Sequence, residues 1–286
     1  MKCLTPSLWV AQSRLYFSNS GVFLSEGRAC LVDPGVFPEE IEALARFLEE
    51  RGAPPEVIVL THSHWDHLLG PERFPGVKII AQANYLAAIS GRAADEIPWQ
   101  IEEWAAEHGI DRPQPFSLPE PDETFGEMLE LAVGELALRL VHAPGHAVDQ
   151  AVVYEPESAT LWAADMLSDL EIPFVSHSLS AYEETLAMLS AWEVRVLIPG
   201  HGQPTASKRE IRSRLEEDRA YLAELRARVL QAVREGLTVG EAVRLCADMP
   251  YRHPQENIGP HRLNVESAYL ELGGEADATK VGWNRL

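Results

Sequence analysis

An α/β chain, with two β-sheets packed face to face and helices on the outside, is predicted by three observations. Short strand-like apolar runs fall into two blocks, and each block is followed by helical patterning. The runs end in Ser, Asn, Gly, Pro or Asp turns, as strands at a sheet end do. Past Pro204 the period changes to that of helices only, which sets a mainly helical extension, residues 206–286, after a first unit of residues 1–205.

Taken in order, Leu15–Phe17, Gly21–Leu24 and Ala29–Val32 read as short strands, the last ending in Asp33-Pro34-Gly35. A helix follows with Ile41, Leu44, Ala45, Phe47 and Leu48 on one face. Val57–Leu60 is an apolar strand, and Val77–Ile80 is another. Residues 82–108 read as mostly helical with an interruption at Ile97-Pro98, because proline lacks the donor a helix interior needs. Past Gln114 strands return, in Leu129–Leu131, Leu136–Val141, Ala151–Tyr154 and Thr160–Trp162. Ser180 and Glu183 have capping-box spacing and open a helix to about Trp192, and Val194–Ile198 is a last strand. Ser207 and Glu210 repeat that spacing. Ile211, Leu215, Leu222, Leu225, Val229 and Val233 then form a stripe of about seven helical turns, broken by Asp218. Thr238 with Glu241 opens a further helix, and Leu263–Leu272 reads as one more. The stripe is expected to pack on the main unit or on a second subunit, so a monomer and a homodimer both fit.

Composition narrows the function. At 286 residues and 46% hydrophobic, the chain buries a sizeable core. No stretch approaches the roughly eighteen uninterrupted apolar residues of a membrane helix. No long apolar region follows Lys2, so a cytoplasmic location is expected. Cys3, Cys30 and Cys246 are scattered and suit neither a disulfide framework nor a thiolate zinc site. The formal net charge of -20 repels polyanions, and Lys2, Lys78, Lys208 and Lys280 are the only lysines. The arginines between 209 and 234 interleave with glutamates, as on a solvated helix face. Nucleic acid is therefore not an expected partner, whereas a small molecule is.

The chemistry concentrates in Thr61-His62-Ser63-His64-Trp65-Asp66-His67, directly after an apolar strand. His62 and His64 lie two apart in extended chain and face the same way, so they can grip one ion. Asp66 and His67 follow the turn and can face a second. Imidazole and carboxylate suit zinc, iron and manganese. A polar loop whose histidines only capped local turns would need no partners elsewhere, but three strand ends offer them: His146 after Ala143-Pro144-Gly145, Asp165 after Thr160–Ala164, and His201 between Gly200 and Gly202.

His-Ser-His-Trp-Asp-His, Ala-Pro-Gly-His-Ala-Val-Asp, Leu-Trp-Ala-Ala-Asp and Ile-Pro-Gly-His-Gly, in this order, resemble the metallo-β-lactamase superfamily over about residues 7–205, on its glyoxalase II-like and β-lactamase-like hydrolase branch. The resemblance implies a four-layer αββα sandwich with a binuclear site. His62, His64 and His146 would hold one ion, and Asp66, His67 and His201 the other, with Asp165 bridging. The implied cofactors are two divalent ions, zinc first, with iron or manganese as alternatives because no thiolate is present. A bridging hydroxide would be the nucleophile, and about one net positive charge would remain to stabilise an oxyanion. Asp66 would be a ligand, or would also orient the water and accept its proton. Asp33 is expected to brace the histidine loop and His142 to support it by hydrogen bonding. His177 could line a pocket or sit on a surface loop. Tyr251, Arg252, His253 and His261 fall in a tail that covers the site in related hydrolases, so a substrate contact is weighed for each.

Two departures bear on substrate. Ala164 replaces the usual Gly before the bridging aspartate. Ala147-Val148-Asp149-Gln150 replaces the Thr and Gly-Ser of thioesterase-like members. The expected activity is metal-dependent hydrolysis of a small ester-like bond in a thioester, lactone or related acyl compound. The alternatives are an endoribonuclease or phosphodiesterase, a mono-iron persulfide dioxygenase-like enzyme and, least favoured, a non-enzymatic metal-binding scaffold.

Overall fold

The computed structural model describes residues 1–111 and 115–275; Gln114 and Lys280 lie outside them. Strands β1 (Lys2–Thr5), β2 (Leu8–Gln12), β3 (Asn19–Ser25), β4 (Arg28–Val32), β5 (Pro55–Val59), β6 (Lys78–Gln82) and β7 (Glu123–Phe125) form one sheet in that order. Pairing is antiparallel from β1 to β4 and parallel from β4 to β7. The second sheet runs β12-β11-β10-β9-β8, from β8 (Met128–Val133), β9 (Leu136–His142), β10 (Ala151–Glu155), β11 (Thr160–Trp162) and β12 (Val196–Ile198). Only β11 and β12 are parallel there.

Strand periodicity builds the layers. Cys30 and Val32 point between the sheets while Leu31 points outward, and Val57 and Val59 point inward while Ile58 points outward. Helices α1 (Pro38–Arg51), α2 (Tyr85–Ala88) and α3 (Ala93–Glu107) cover the outer face of the first sheet. Helices α4 (Leu179–Ser190), α5 (Lys208–Arg234), α6 (Val239–Cys246) and α7 (Ile258–Glu271) cover the second. The expected αββα sandwich with C-terminal helices is thus observed. The α5 stripe packs within its own chain, and Leu222, Leu225 and Val229 are fully buried there. Among the described residues no helix is long and apolar enough to cross a membrane.

Several elements differ from the sequence reading. Leu15–Phe17 is a turn, since Tyr16 and Phe17 have φ of 49° and 54°, outside the β region. The sheet instead begins with β1 and β2. Helix α3 runs through Pro98 without interruption, at the cost of one backbone hydrogen bond. The N-cap of α4 is Ser178, whose hydroxyl accepts from Ala181 N, while Ser180 donates to Glu271. Ser207 caps α5, but Glu210 turns to Thr205 and Arg214, so only half of that box forms. The Thr238–Glu241 box is complete. Asp218 does not break the helix; its buried carboxylate pairs with Arg252.

Trp162 is the largest fully buried side chain and lies between the sheets. A Cβ on Gly21 of the opposite sheet would come within 2.7 Å of its ring, so glycine is what lets the layers close over it. Trp162→Ala should lower unfolding free energy by about 3–5 kcal/mol through the cavity it leaves. Urea denaturation checks this, and a loss below about 1 kcal/mol would contradict such a role.

Candidate metal centre

Strand ends place every residue of the site. Asp33 follows β4, the segment 61–67 follows β5, His146 lies in the turn after β9, Asp165 follows β11 and His201 follows β12. Parallel pairing of β11 with β12 brings Asp165 and His201 out of the sheet side by side. A side chain on Gly200 would meet Asp165 Oδ1 at 2.0 Å, so the chain before His201 must carry none. Ala164 adopts φ 48°, the left-handed conformation that the glycine of the family pattern would take without strain.

All seven predicted ligands converge, in two groups. The atoms of His62, His64, His146 and Asp165 lie within 4.8 Å of one another, as do those of Asp66, His67 and His201. Asp165 stands between the groups. Its Oδ2 is 3.6 Å from His62 Nε2, 3.3 Å from His146 Nε2 and 3.3 Å from His201 Nε2, and its Oδ1 is 3.4 Å from His67 Nε2. Asp66 Oδ2 lies 3.3 Å from His201 Nε2.

Hydrogen bonds behind the rings decide which nitrogen faces inward. His67 Nδ1 donates to Asp33 Oδ2 at 3.0 Å, and His146 Nδ1 donates to the Phe174 carbonyl at 3.0 Å. Thr61 Oγ1 donates to Asp33 Oδ2 at 2.6 Å and lies 3.1 Å from His62 Nδ1, while Thr61 N donates to Asp33 Oδ1 at 2.9 Å. His201 Nδ1 lies 3.2 Å from the Tyr16 carbonyl. In each case Nε2 is left pointing at the centre. Asp33 thus braces the histidine loop, as expected, and His142 Nε2 holds the Val148 carbonyl and so the turn that carries His146.

The donor set fits divalent cations. His62 Nε2, His67 Nε2 and Asp165 Oδ1 are buried without a hydrogen-bond partner, and unpaired buried polar atoms of this kind are costly. His146 Nε2 and His64 Nδ1 approach to 2.9 Å, and the electron pairs of neutral imidazoles crowded this way suit a shared cation. Burial drives His62 well down and His64 to about 3, and it lowers His146 as well, so the first group is ready to donate electron pairs at neutral pH. Burial also opposes the charged forms of His67 and His201. Asp165 offsets it at both, helped by Asp66 at His67 and by Glu171 at His201, raising His67 well above the usual histidine value and His201 to about 10. Burial pushes Asp165 upward, yet His201, His67 and His62 hold it well below the usual carboxylate range.

A cleft of about 780 Å³ opens beside the first group, floored by Ser63, His64 and Asp66. Ala93, Ile97 and Trp99 of α3 form one wall, and Val148, Phe174 and Leu263 line the other. His177, exposed in the loop before α4, also lines this cleft, so both of its readings hold. Among the described residues Arg92 is the cleft's only arginine or lysine, and it is paired with Glu96. Asp149 is buried with one oxygen on the Ser63 hydroxyl at 3.2 Å, and burial raises it to about 6.

The tail residues do not line the cleft. Arg252 holds Asp218 and the Ser168 and Glu171 carbonyls, and His253 lies 3.2 Å from the Asp169 carbonyl. His261 meets Tyr221 and the Cys246 carbonyl, and Tyr251 stacks on His261. Arg252 and His253 buttress the loop after Asp165 from behind, His261 and Tyr251 pack among the C-terminal helices, and Leu263 is what the tail contributes to the cleft. Sequence reasoning missed Trp99, Phe174 and Glu171. Trp99, 51% exposed on α3, stands off the buried face of Ile97, Ile101 and Trp104, and that helical spacing is the one signal the sequence offered, whereas Glu171 and Phe174 reach the site only by tertiary folding.

Comparison with known proteins follows the same lines. The family described as the metallo-beta-lactamase superfamily matches residues 13–201. A linear primary-alkylsulfatase of Pseudomonas sp. is 24% identical over 249 residues, 74% of this chain and 47% of that protein, so this chain spans about half its length. An acyl-coenzyme A thioesterase of Gallus gallus is 24% identical, over 68% of this chain and 76% of the relative. A hydroxyacylglutathione hydrolase of Cereibacter sphaeroides is 26% identical, over 69% of this chain and 68% of the relative. Among solved structures, a metallo-beta-lactamase family protein of Thermus thermophilus superposes with a TM-score of 0.69 at 23% identity, over 94% of this chain and 93% of that one, a likeness of fold.

Two outcomes follow from this geometry. Coordination requires neutral imidazole, and His67 and His201 keep their protons at neutral pH, so divalent ions entering the second group must displace them. Binding there should release protons and tighten as pH rises towards about 10, the value at which His201 loses its proton, while the first group should respond little. Calorimetry in buffers of different ionisation enthalpy measures the release, and its absence would contradict the assignment. Asp33→Ala should weaken metal binding by about 10–100-fold in chelator competition, because it frees both Thr61 and His67.

Proposed function

The chain belongs to the metallo-β-lactamase superfamily and is an enzyme of the hydrolase type, and from that premise we propose that it hydrolyses a small acyl compound, a thioester foremost, with an apolar chain on the acyl group. The single observation that carries this reading is a metal-type donor cluster opening into a cleft that carries an apolar strip, Ile97, Trp99, Phe174 and Leu263, on its walls. His62, His64 and His146 would hold one ion, and Asp66, His67 and His201 another, with the Asp165 carboxylate within reach of both groups. Zinc suits the all-nitrogen-and-oxygen set, as do iron and manganese. Bound there, the ions supply Lewis acidity, lowering the pKa of water and polarising the scissile oxygen.

The protein's own groups do the rest. Asp66, on the cleft floor beside His201, is placed to orient the attacking water and take its proton. Ile97, Trp99, Phe174 and Leu263 exclude water and receive the alkyl chain. We assign residues 1–205 as the catalytic unit, with 206–286 supporting the loop behind Asp165.

A second reading, cleavage of an alkyl sulfate ester, is favoured by the alkylsulfatase relative. It shares the apolar chain but needs cationic contacts for the sulfate. Among the described residues the one cationic side chain of the cleft, Arg92, is already engaged by Glu96 and leaves the sulfate no free side-chain cation, so the carbonyl substrate fits better. RNA fits least, since the lining adds Asp149 to a chain of net charge -20 and its Arg92 is taken by Glu96.

A substrate panel tests the assignment. Chelation should abolish thioesterase activity, and zinc, iron or manganese should restore it, with metal analysis giving the number of ions. kcat/KM should rise from butanoyl to decanoyl thioesters, by at most about fourfold per methylene if each buries fully. Faster turnover of decyl sulfate would favour the second reading. A flat chain-length profile would remove the role given to the α3 wall.

A further inference from the structure

A second cavity, of about 500 Å³, lies between the end of α4, strand β12 and the first turns of α5, and it shares no lining residue with the cleft. Its volume falls within the roughly 300–1,000 Å³ of small-molecule pockets. Leu161, Leu167, Leu189 and Leu197, all buried, form its floor, and the half-buried Ile211 and Leu215 stand at its rim. Arg195, Lys208 and Arg212, all exposed, stand with it, opposed by one carboxylate, Glu193. Glu193 is taken by Arg195 at 2.8 Å, and among the described residues Lys208 and Arg212 form no ion pair. This is a local excess of positive charge on a chain with 44 acidic and 24 basic side chains. Three arginines of α5 are neutralised, Arg214 by Glu210, Arg226 by Glu183 and Arg228 by Glu224, whereas Arg209, Arg219 and Arg234 lie outside the pocket lining.

We propose that this cavity binds an amphipathic anion, a carboxylate carrying a medium-length alkyl chain. The tail lies among the leucines, and the head is held by Lys208 and Arg212. A neutral polar ligand finds little to bond: the Ser190 hydroxyl donates to the Ala187 carbonyl, and the Trp192 ring packs on Tyr154 with centroids 5.0 Å apart. The lining also reaches the metal centre. Leu167 lies two residues beyond Asp165, and Leu197 four residues before His201, so an occupant touches both stems. Hydrolysis of an acyl thioester releases a carboxylate of this kind; that link to catalysis, unlike the site, rests on the proposed function.

Calorimetric titration of the full chain with decanoate, below its micelle concentration, tests the site. The variants are Lys208→Glu with Arg212→Glu, which leaves the interior untouched, Leu215→Trp, which fills the cavity, and Ile97→Trp, which fills the cleft. Circular dichroism verifies that each folds. A saturable component should survive Ile97→Trp and weaken at least about tenfold in the double charge reversal, with a similar loss in Leu215→Trp and for neutral decanol. Absence of saturable binding, or a component lost in Ile97→Trp and unchanged by the charge reversal, would overturn the proposal.

Discussion

The structure depends on one buried carboxylate. Four imidazoles from three separate segments face Asp165 at 3.3–3.6 Å, and it is 8% exposed. Charges removed from water in this way persist only when opposed, and here the opposition is arranged by strand ends far apart in the chain. The close approach of Gly200, the left-handed turn at Ala164 and the inward Nε2 atoms are conditions for that meeting. Asp33 does the equivalent work one layer back, where a single carboxylate ties Thr61 to His67.

Much of this was legible in the residues. His62, His64, Asp66 and His67 lie in one segment, so their spacing and the apolar strand before them suffice to suggest a metal loop. His146, Asp165 and His201 are single residues at strand ends; their order beside Pro-Gly and Gly-flanked turns carries them. The two-sheet sandwich follows from alternation such as Cys30, Leu31 and Val32, which serves two different cores.

What was hidden is tertiary. Asp218 reads as a break in an apolar stripe until Arg252, 34 residues later, is seen to neutralise it. Pro98 reads as a helix break, yet the packing of Ile97, Ile101 and Trp104 outweighs one missing hydrogen bond. Ser180 has the spacing of a cap, but Glu271 from α7 claims it and Ser178 takes the end of the helix. Tyr16 and Phe17 look strand-like by residue type, and only the turn between β2 and β3 shows why they leave that conformation.

The donors sit on short stubs of sheet, while the cleft walls come from α3, the loop before α4, and α7. Frame and rim are therefore separable inheritances. Rewriting the segments around Trp99 or Phe174 can change what is admitted without moving the atoms that act on it, provided the Phe174 carbonyl still holds His146. A scaffold divided in this way can take on new substrates through altered connections alone.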